Sequence, residues 1–163
     1  DDGRVTFADL IHAELDAIGF TQAGEQRVTL DGPDDVPLRS STVQIFAMAL
    51  HELTTNAVKY GALRQGGGHL HVRWWVEADE QQQRWLHVDW HESGVTMPQE
   101  GAAPTGTGQG RALIEKALPY QLHAKTTYVM AADGVRCSIA LPISNRGQAE
   151  THDAAHQSPD PRG

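Results

Sequence analysis

The 163-residue sequence is short of several things, and each shortage narrows what it can be. It has one cysteine, Cys137, so no disulfide can close within the chain; the alternation around Cys137 reads as a strand, and a reducing, cytoplasmic compartment is expected. No apolar run approaches the roughly 20 residues that cross a bilayer, and no basic stretch leads into an apolar segment with a small-residue cleavage site. Direct membrane contact by this chain is therefore not expected. Positive charge is scarce as well: 13 Lys and Arg against 21 Asp and Glu give a formal net charge of −8 at pH 7, the wrong sign for holding nucleic acid or an anionic surface through a general basic field. Any phosphate must be met locally. There is no internal repeat, and the first residue is Asp1 rather than methionine, as expected of a fragment or a trimmed chain.

What is present is ordinary for a globular domain, with 39% apolar and 21% charged residues in a length that supports one core. Phe7, Leu10, Ile11, Leu15 and Ile18 recur at helical spacing. Val28–Leu30 and Val36–Leu38 read as short strand segments around the turn-prone Asp31-Gly32-Pro33-Asp34. The strongest helix is expected to start after Ser40 or Ser41, either able to cap it, and to run to Tyr60 before Gly61, burying Phe46, Ala49, Leu50, Leu53 and Ala57. His69–Glu77 and Arg84–Glu92 alternate like a hairpin. Ser93 to Gly108 reads as a long loop, a helix is expected from about Gly110 to Leu122, and Thr126–Met130 with Val135–Leu141 form a closing hairpin around Asp133-Gly134. The order predicts an α/β two-layer sandwich, a mixed, mainly antiparallel sheet with helices on one face, over residues 1–143. Residues 144–163 have too few apolar side chains to pack and are expected to be a disordered tail.

Three groups of residues suggest chemistry. Glu52, Asn56 and Lys59, spaced by four and three, share one narrow helix face; a carboxylate and a carboxamide one turn apart suit a Mg²⁺–phosphate site, and the lysine can meet phosphate charge. The same pattern also suits the solvated side of an amphipathic helix. Glu92 shares strand parity with Leu86, Val88 and Trp90, so it falls on the buried side and needs a partner there, while Gly94 allows a close turn; a strand-end glutamate reaching solvent is the plainer alternative. Gly106-Thr107-Gly108-Gln109-Gly110-Arg111-Ala112-Leu113 places glycines just before a helix, where backbone N–H groups can approach an anion, but it has neither the Gly-x-Gly-x-x-Gly spacing nor the Lys-Ser/Thr of a P-loop.

Taken in order, these pieces resemble one family. His-Glu-Leu-Thr-Thr-Asn-Ala-Val-Lys-Tyr-Gly-Ala-Leu, residues 51 to 63, is similar to the N box of bacterial HWE histidine kinases, whose name comes from a histidine in that box and a Trp-x-Glu in the next, here His51 and Trp90-His91-Glu92. Gly108 to Ile114 resembles their second glycine box, and the similarity covers about Phe7 to Ile143. The resemblance implies the Bergerat (GHKL) fold of gyrase- and MutL-type ATPases, with ATP between the long helix and a mobile lid. It implies Asn56 as Mg²⁺ ligand, Glu92 as acceptor for the adenine amino group, and Gly108 and Gly110 at the phosphate end. Lys59 and Tyr60 would flank the nucleotide, with Trp90, Gly94, Arg111 and Leu113 also in the binding set. Glu52 would be the base or polariser, and His51 is placed in the catalytic group with no role assigned.

The chain departs from the family pattern at Val95-Thr96, where Gly-Pro is usual and a stiffer hinge is expected, and at Gln109, where an aromatic is usual. His69, His71 and His87 suggest zinc only weakly, with no fourth ligand evident, and Trp74, Trp75 and Trp85 read as sheet packing. Family members carry the phosphoacceptor histidine on an upstream two-helix dimerisation segment, and none of the nine histidines here has that context. The expected activity is therefore ATP-dependent phosphorylation of a histidine supplied by that segment, in a dimeric parent kinase acting on a response regulator, with no autophosphorylation of the isolated chain. A GHKL-type ATPase, encouraged by Glu52, and a non-catalytic nucleotide-binding module, encouraged by Val95-Thr96, are the alternatives.

Overall fold

The first helix, α1 (Phe7–Ala17), starts where a capping box forms: Thr6 Oγ1 accepts the Asp9 N–H at 3.1 Å, and Asp9 Oδ2 accepts the Thr6 N–H at 3.0 Å. Its stripe of Phe7, Leu10, Ile11 and Leu15 is buried. These coordinates are a computed structural model describing residues 4–19, 27–64, 66–96 and 108–144.

Helix α2 (Ser40–Lys59) buries Phe46, Ala49, Leu50, Leu53 and Ala57 as its periodicity requires, together with Ile45 and Thr54. Its cap differs from expectation. Arg39 occupies the N-cap with extended backbone and makes no side-chain cap bond, while Ser40 and Ser41 lie inside the first turn. The cause is upstream: Val36–Leu38 is not a strand of the sheet but makes a single bridge, Thr6 to Pro37. The Phe7 N–H donates to the Val36 carbonyl (3.0 Å) and the Leu38 N–H to the Val5 carbonyl (2.9 Å), holding the chain extended up to the helix start. At the other end the Tyr60 N–H reaches the Asn56 carbonyl at 2.8 Å, and the Gly61 N–H reaches Ala57 at 3.1 Å.

Five strands, β1 (Val28–Asp31), β2 (His69–Ala78), β3 (Arg84–Ser93), β4 (Lys125–Ala131) and β5 (Gly134–Ile143), form one sheet in the order β1-β2-β3-β5-β4. Only the β1–β2 pair is parallel, so the sheet is mixed and mainly antiparallel. Period-two alternation turns Leu70, Val72, Trp74, Leu86, Val88, Trp90, Cys137, Ile139 and Leu141 toward the helices, where they meet Phe7, Ile11, Phe46, Leu50 and Leu53. This is the two-layer α/β sandwich. The three tryptophans all pack on the sheet, Trp74 within the sandwich, edge-on to Phe7 at 5.0 Å with its Nε1–H donated to the Pro33 carbonyl. Trp75 and Trp85 lie on the uncovered face, against His87 and Lys125.

The third helical stretch begins at Gly108, two residues ahead of expectation, as α3 (Gly108–Ala112). It widens into a π-helical turn (Leu113–Ala117), then continues as α4 (Leu118–Leu122). Pro119 explains the widening. It has no N–H, and in a regular helix its ring would collide with the carbonyl of Glu115; the wider turn, closed by the Leu118 N–H on the Leu113 carbonyl, relieves the clash. Most of the expected lid, residues 97–107, lies outside the described residues. So does the expected tail beyond Ser144, whose hydroxyl accepts Arg39 Nε–H at 2.7 Å. No described helix is long and apolar enough to cross a membrane.

A Cβ on Gly32 would overlap the Trp74 ring, whereas one on Gly66 would meet nothing within 4 Å. Gly32→Ala should therefore destabilise the domain by about 1–3 kcal/mol, the usual cost of overpacking, and Gly66→Ala should stay within about 0.5 kcal/mol of the parent. Urea unfolding midpoints measure both; equal midpoints would show that the 31–34 turn yields freely.

Candidate active site

The site is organised along α2. Glu52 and Asn56, one turn apart, are half-buried on the same helix face, and Lys59 follows as an exposed residue in the last turn. The first turn of α3 is laid directly on that face. A Cβ on Gly110 would stand 3.1 Å from Glu52 Oε2 and 3.4 Å from Asn56 Nδ2, so the helix approaches this closely because residue 110 has no side chain. The structure thus joins the acid–amide pair to the glycine segment some fifty residues away. The donors gathered here are hard carboxylate and amide oxygens, the set that suits Mg²⁺. Among the described residues there is no cluster of three or more His, Cys, Asp or Glu arranged to hold a metal without help from a ligand.

Beyond the C-terminal end of α2 sits Glu92, 3% exposed and the only charged side chain in the core among the described residues. Its Oε1 accepts the backbone N–H of Ala62 at 3.0 Å, and its Oε2 accepts Trp90 Nε1–H at 2.9 Å. Gly61 makes room for it, since a Cβ there would overlap Glu92 Oε1. Burial pushes the Glu92 carboxyl above the usual carboxylate range, opposed by the bonds from Trp90 and Ala62. The sign follows: a raised folded-state pKa gives stability that is present at low pH and lost as pH rises through the raised value, so an ionised Glu92 weakens the fold. Ala62, Val95 and Val135 form a small apolar cluster nearby, with Tyr128 and Met130 against it. Val95, the departure from Gly-Pro, is thus built into the core, and its N–H bonds the Asp133 carbonyl at 3.3 Å.

Not every expected site residue joins these two centres. Trp90 has no exposed surface, so it reaches the site only through Glu92. His51 points to α1, its Nδ1 lying 3.2 Å from Glu14 Oε2. Arg111 is paired with Glu115 and lies 5.1 Å over the Tyr128 ring. Leu113 packs against the core, Tyr60 is the half-buried cap of α2, and Lys59 offers its carbonyl to Arg64. Gly94 takes a left-handed φ of +70° and packs against Gly67, whose carbonyl oxygen a Cβ would meet at 2.7 Å; Gly108 opens α3. Of the three histidines weighed for zinc, His69 meets Thr29 Oγ1 at 2.8 Å and His87 stacks on Trp75, while the buried His71 Nε2 has no hydrogen-bond partner. Sequence reasoning missed Gly61 and Ala62 as parts of the Glu92 pocket; the sole signal was the glycine after the helix, which reads equally well as a stop.

No protein-family model matches the chain. A curated relative, the blue-light-activated histidine kinase of Brucella anthropi, is 33% identical over 125 residues, covering 77% of this chain. The chain spans about a quarter (24%) of that relative's length. Among solved structures, the catalytic domain of histidine kinase ThkA superposes with a TM-score of 0.60 at 15% identity, covering 85% of this chain and 93% of that domain. Full-length ShkA in complex with AMPPNP superposes at 0.55 and 13% identity, over 88% of this chain and 31% of that one. The two structures share the fold, and the curated relative shares the sequence over most of the described residues. With its N-box string and Trp-x-Glu in place within that fold, the chain belongs to the HWE histidine kinases, as their ATP-binding catalytic domain.

Proposed function

We propose that this domain binds ATP with Mg²⁺ and delivers the γ-phosphoryl group to a histidine on a dimerisation segment outside the chain. The observation that carries the reading is the line along α2: a buried acceptor at Glu92 beyond one end, then Asn56, then Glu52 under the glycine turn of α3. Adenine at Glu92 sends the phosphates toward Asn56 and Glu52, as in the resemblance. Asn56 supplies a hard oxygen to the metal, Gly108 and Gly110 leave backbone room at the phosphate end, and Lys59 and Tyr60 flank the nucleotide. Bound Mg²⁺ supplies charge neutralisation on the phosphate oxygens. Glu52 is placed to accept or polarise a proton at the attacking group; the rest is positioning, which dominates phosphoryl transfer. Glu52 also favours a second reading, an ATPase that needs no protein acceptor. The wider setting proposed is a dimeric cytoplasmic two-component kinase with a response regulator downstream.

Asn56→Ala should abolish Mg²⁺-dependent ATP binding with the fold intact. Calorimetry with and without Mg²⁺ checks this, and an unchanged magnesium dependence removes Asn56 from the site.

Incubated with labelled ATP, the chain alone should form no acid-labile phosphohistidine, and an added HWE dimerisation segment should become labelled. Steady phosphate release without any acceptor would instead support the ATPase reading.

ATP should bind at least roughly tenfold more tightly than GTP, because an ionised carboxylate accepts from the adenine amino group and faces guanine O6 lone pair to lone pair. Glu92→Gln should shrink that preference and lower the melting temperature, since an amide cannot accept from both Trp90 and Ala62. Competition binding in which the variant keeps the full preference would show that Glu92 does not read the base.

A further inference from the structure

Trp90 and Glu92 stand two residues apart on β3, so the strand's period places both on the helix-covered face. Trp90 is wholly enclosed, in a core that a phenylalanine ring would also serve, yet its one polar atom is spent on Glu92 Oε2 at 2.9 Å. With the Ala62 N–H on Oε1, each carboxylate oxygen holds one protein donor and retains one further acceptor direction. The two donors come from different elements, β3 and the turn after α2, so together they fix the plane of the carboxylate as well as its charge.

We propose that Trp90 is a positioning residue for base recognition: its indole N–H orients Glu92 and keeps it in the acceptor-only form that pairs with a purine amino group. This rests on the nucleotide reading above. The groups facing Glu92 from neighbouring elements leave the task to those two donors. Tyr128 on β4 and Cys137 on β5 are both pushed up to about 12, chiefly by burial, so neither titrates near neutrality. Arg111 on α3 is matched by Glu115 in the π-turn and lies over Tyr128. Burial alone drives the Glu92 carboxyl toward protonation, and a protonated carboxyl carries an O–H that can donate to guanine O6. The Trp90 hydrogen bond opposes that drive, so without its N–H the Glu92 carboxyl should move further up and the neutral form should persist to higher pH.

The test compares ATP and GTP affinities, by competition from about pH 5 to 8, for the parent chain, Trp90→Phe, and a chain with benzothienylalanine at position 90. The sulfur isostere keeps the tryptophan shape and removes only the N–H, so it decides the matter if Trp90→Phe folds poorly. In the parent, preference for ATP should fall as pH falls through the Glu92 pKa. Both variants should lose roughly tenfold of that preference at neutral pH, with the fall displaced to higher pH. Infrared titration of the carboxylic C=O band missing from Glu92→Gln reads the same displacement without nucleotide. Variants that fold and keep the parent's preference and pH midpoint overturn the proposal alone. A parent chain that binds neither nucleotide overturns the kinase reading and this proposal with it.

Discussion

One buried carboxylate governs the architecture of the site. Glu92 sits in the core with no cation paired to it among the described residues, held by two N–H donors, and a carboxylate so placed is tolerated only while those donors are kept. Three other features follow from its position. The chain after α2 must carry a residue without a side chain at position 61 and must turn so that the Ala62 N–H faces inward. The strand must place a donor two residues earlier, at Trp90. The β4–β5 turn must pass the Glu92 backbone closely enough that Gly134 has no room for a Cβ. An apolar residue at position 92 would need neither N–H donor, and a core that carries a carboxylate there marks the position as a candidate binding residue.

Helix α2 converts that local constraint into a site. Its apolar stripe fixes it on the sheet, and the adjacent face then has no freedom left: Glu52 and Asn56 stand at set heights above the end marked by Glu92. The glycine turn of α3 meets them from the other side through Gly110. The Glu92 end and the Gly110 end are therefore joined by one rigid element. Val95 tightens the same region, since its side chain belongs to the small cluster with Ala62 and Val135 where the family usually has glycine. The segment leading out of β3 toward residues 97–107 is thus anchored in the core at its first residues.

The uncovered face of the sheet follows a different logic. Cross-strand pairs there are polar and aromatic: Arg136 with Asp89, Trp75 with His87, Lys125 over Trp85, Thr127 with Ser138. These contacts pin the strand register without adding to the core. On this side His69 meets Thr29 and His87 stacks on Trp75, while the buried His71 Nε2 has no hydrogen-bond partner.

The sequence by itself determined the elements and the candidate residues. Periodicity located α1, α2 and both hairpins because burial of one face imposes it, and the N-box string with Trp-x-Glu pointed to the family because a long specific string needs no three-dimensional information to be read. Tertiary structure decided what each candidate touches. The spacing that puts Glu52 beside Asn56 is silent about Gly110, which arrives from about a third of the chain away, and Glu92 read as buried without revealing that Ala62 and Trp90 satisfy it. His51 and Arg111 sit within the motifs yet turn to Glu14 and Glu115, because a helix face is shared between function and docking and only packing shows which neighbour claims it. The cap of α2 at Arg39 and the π-turn before Pro119 escaped for a related reason: both are set by what the backbone meets, a bridging segment in one case and a proline ring in the other, and propensity records neither.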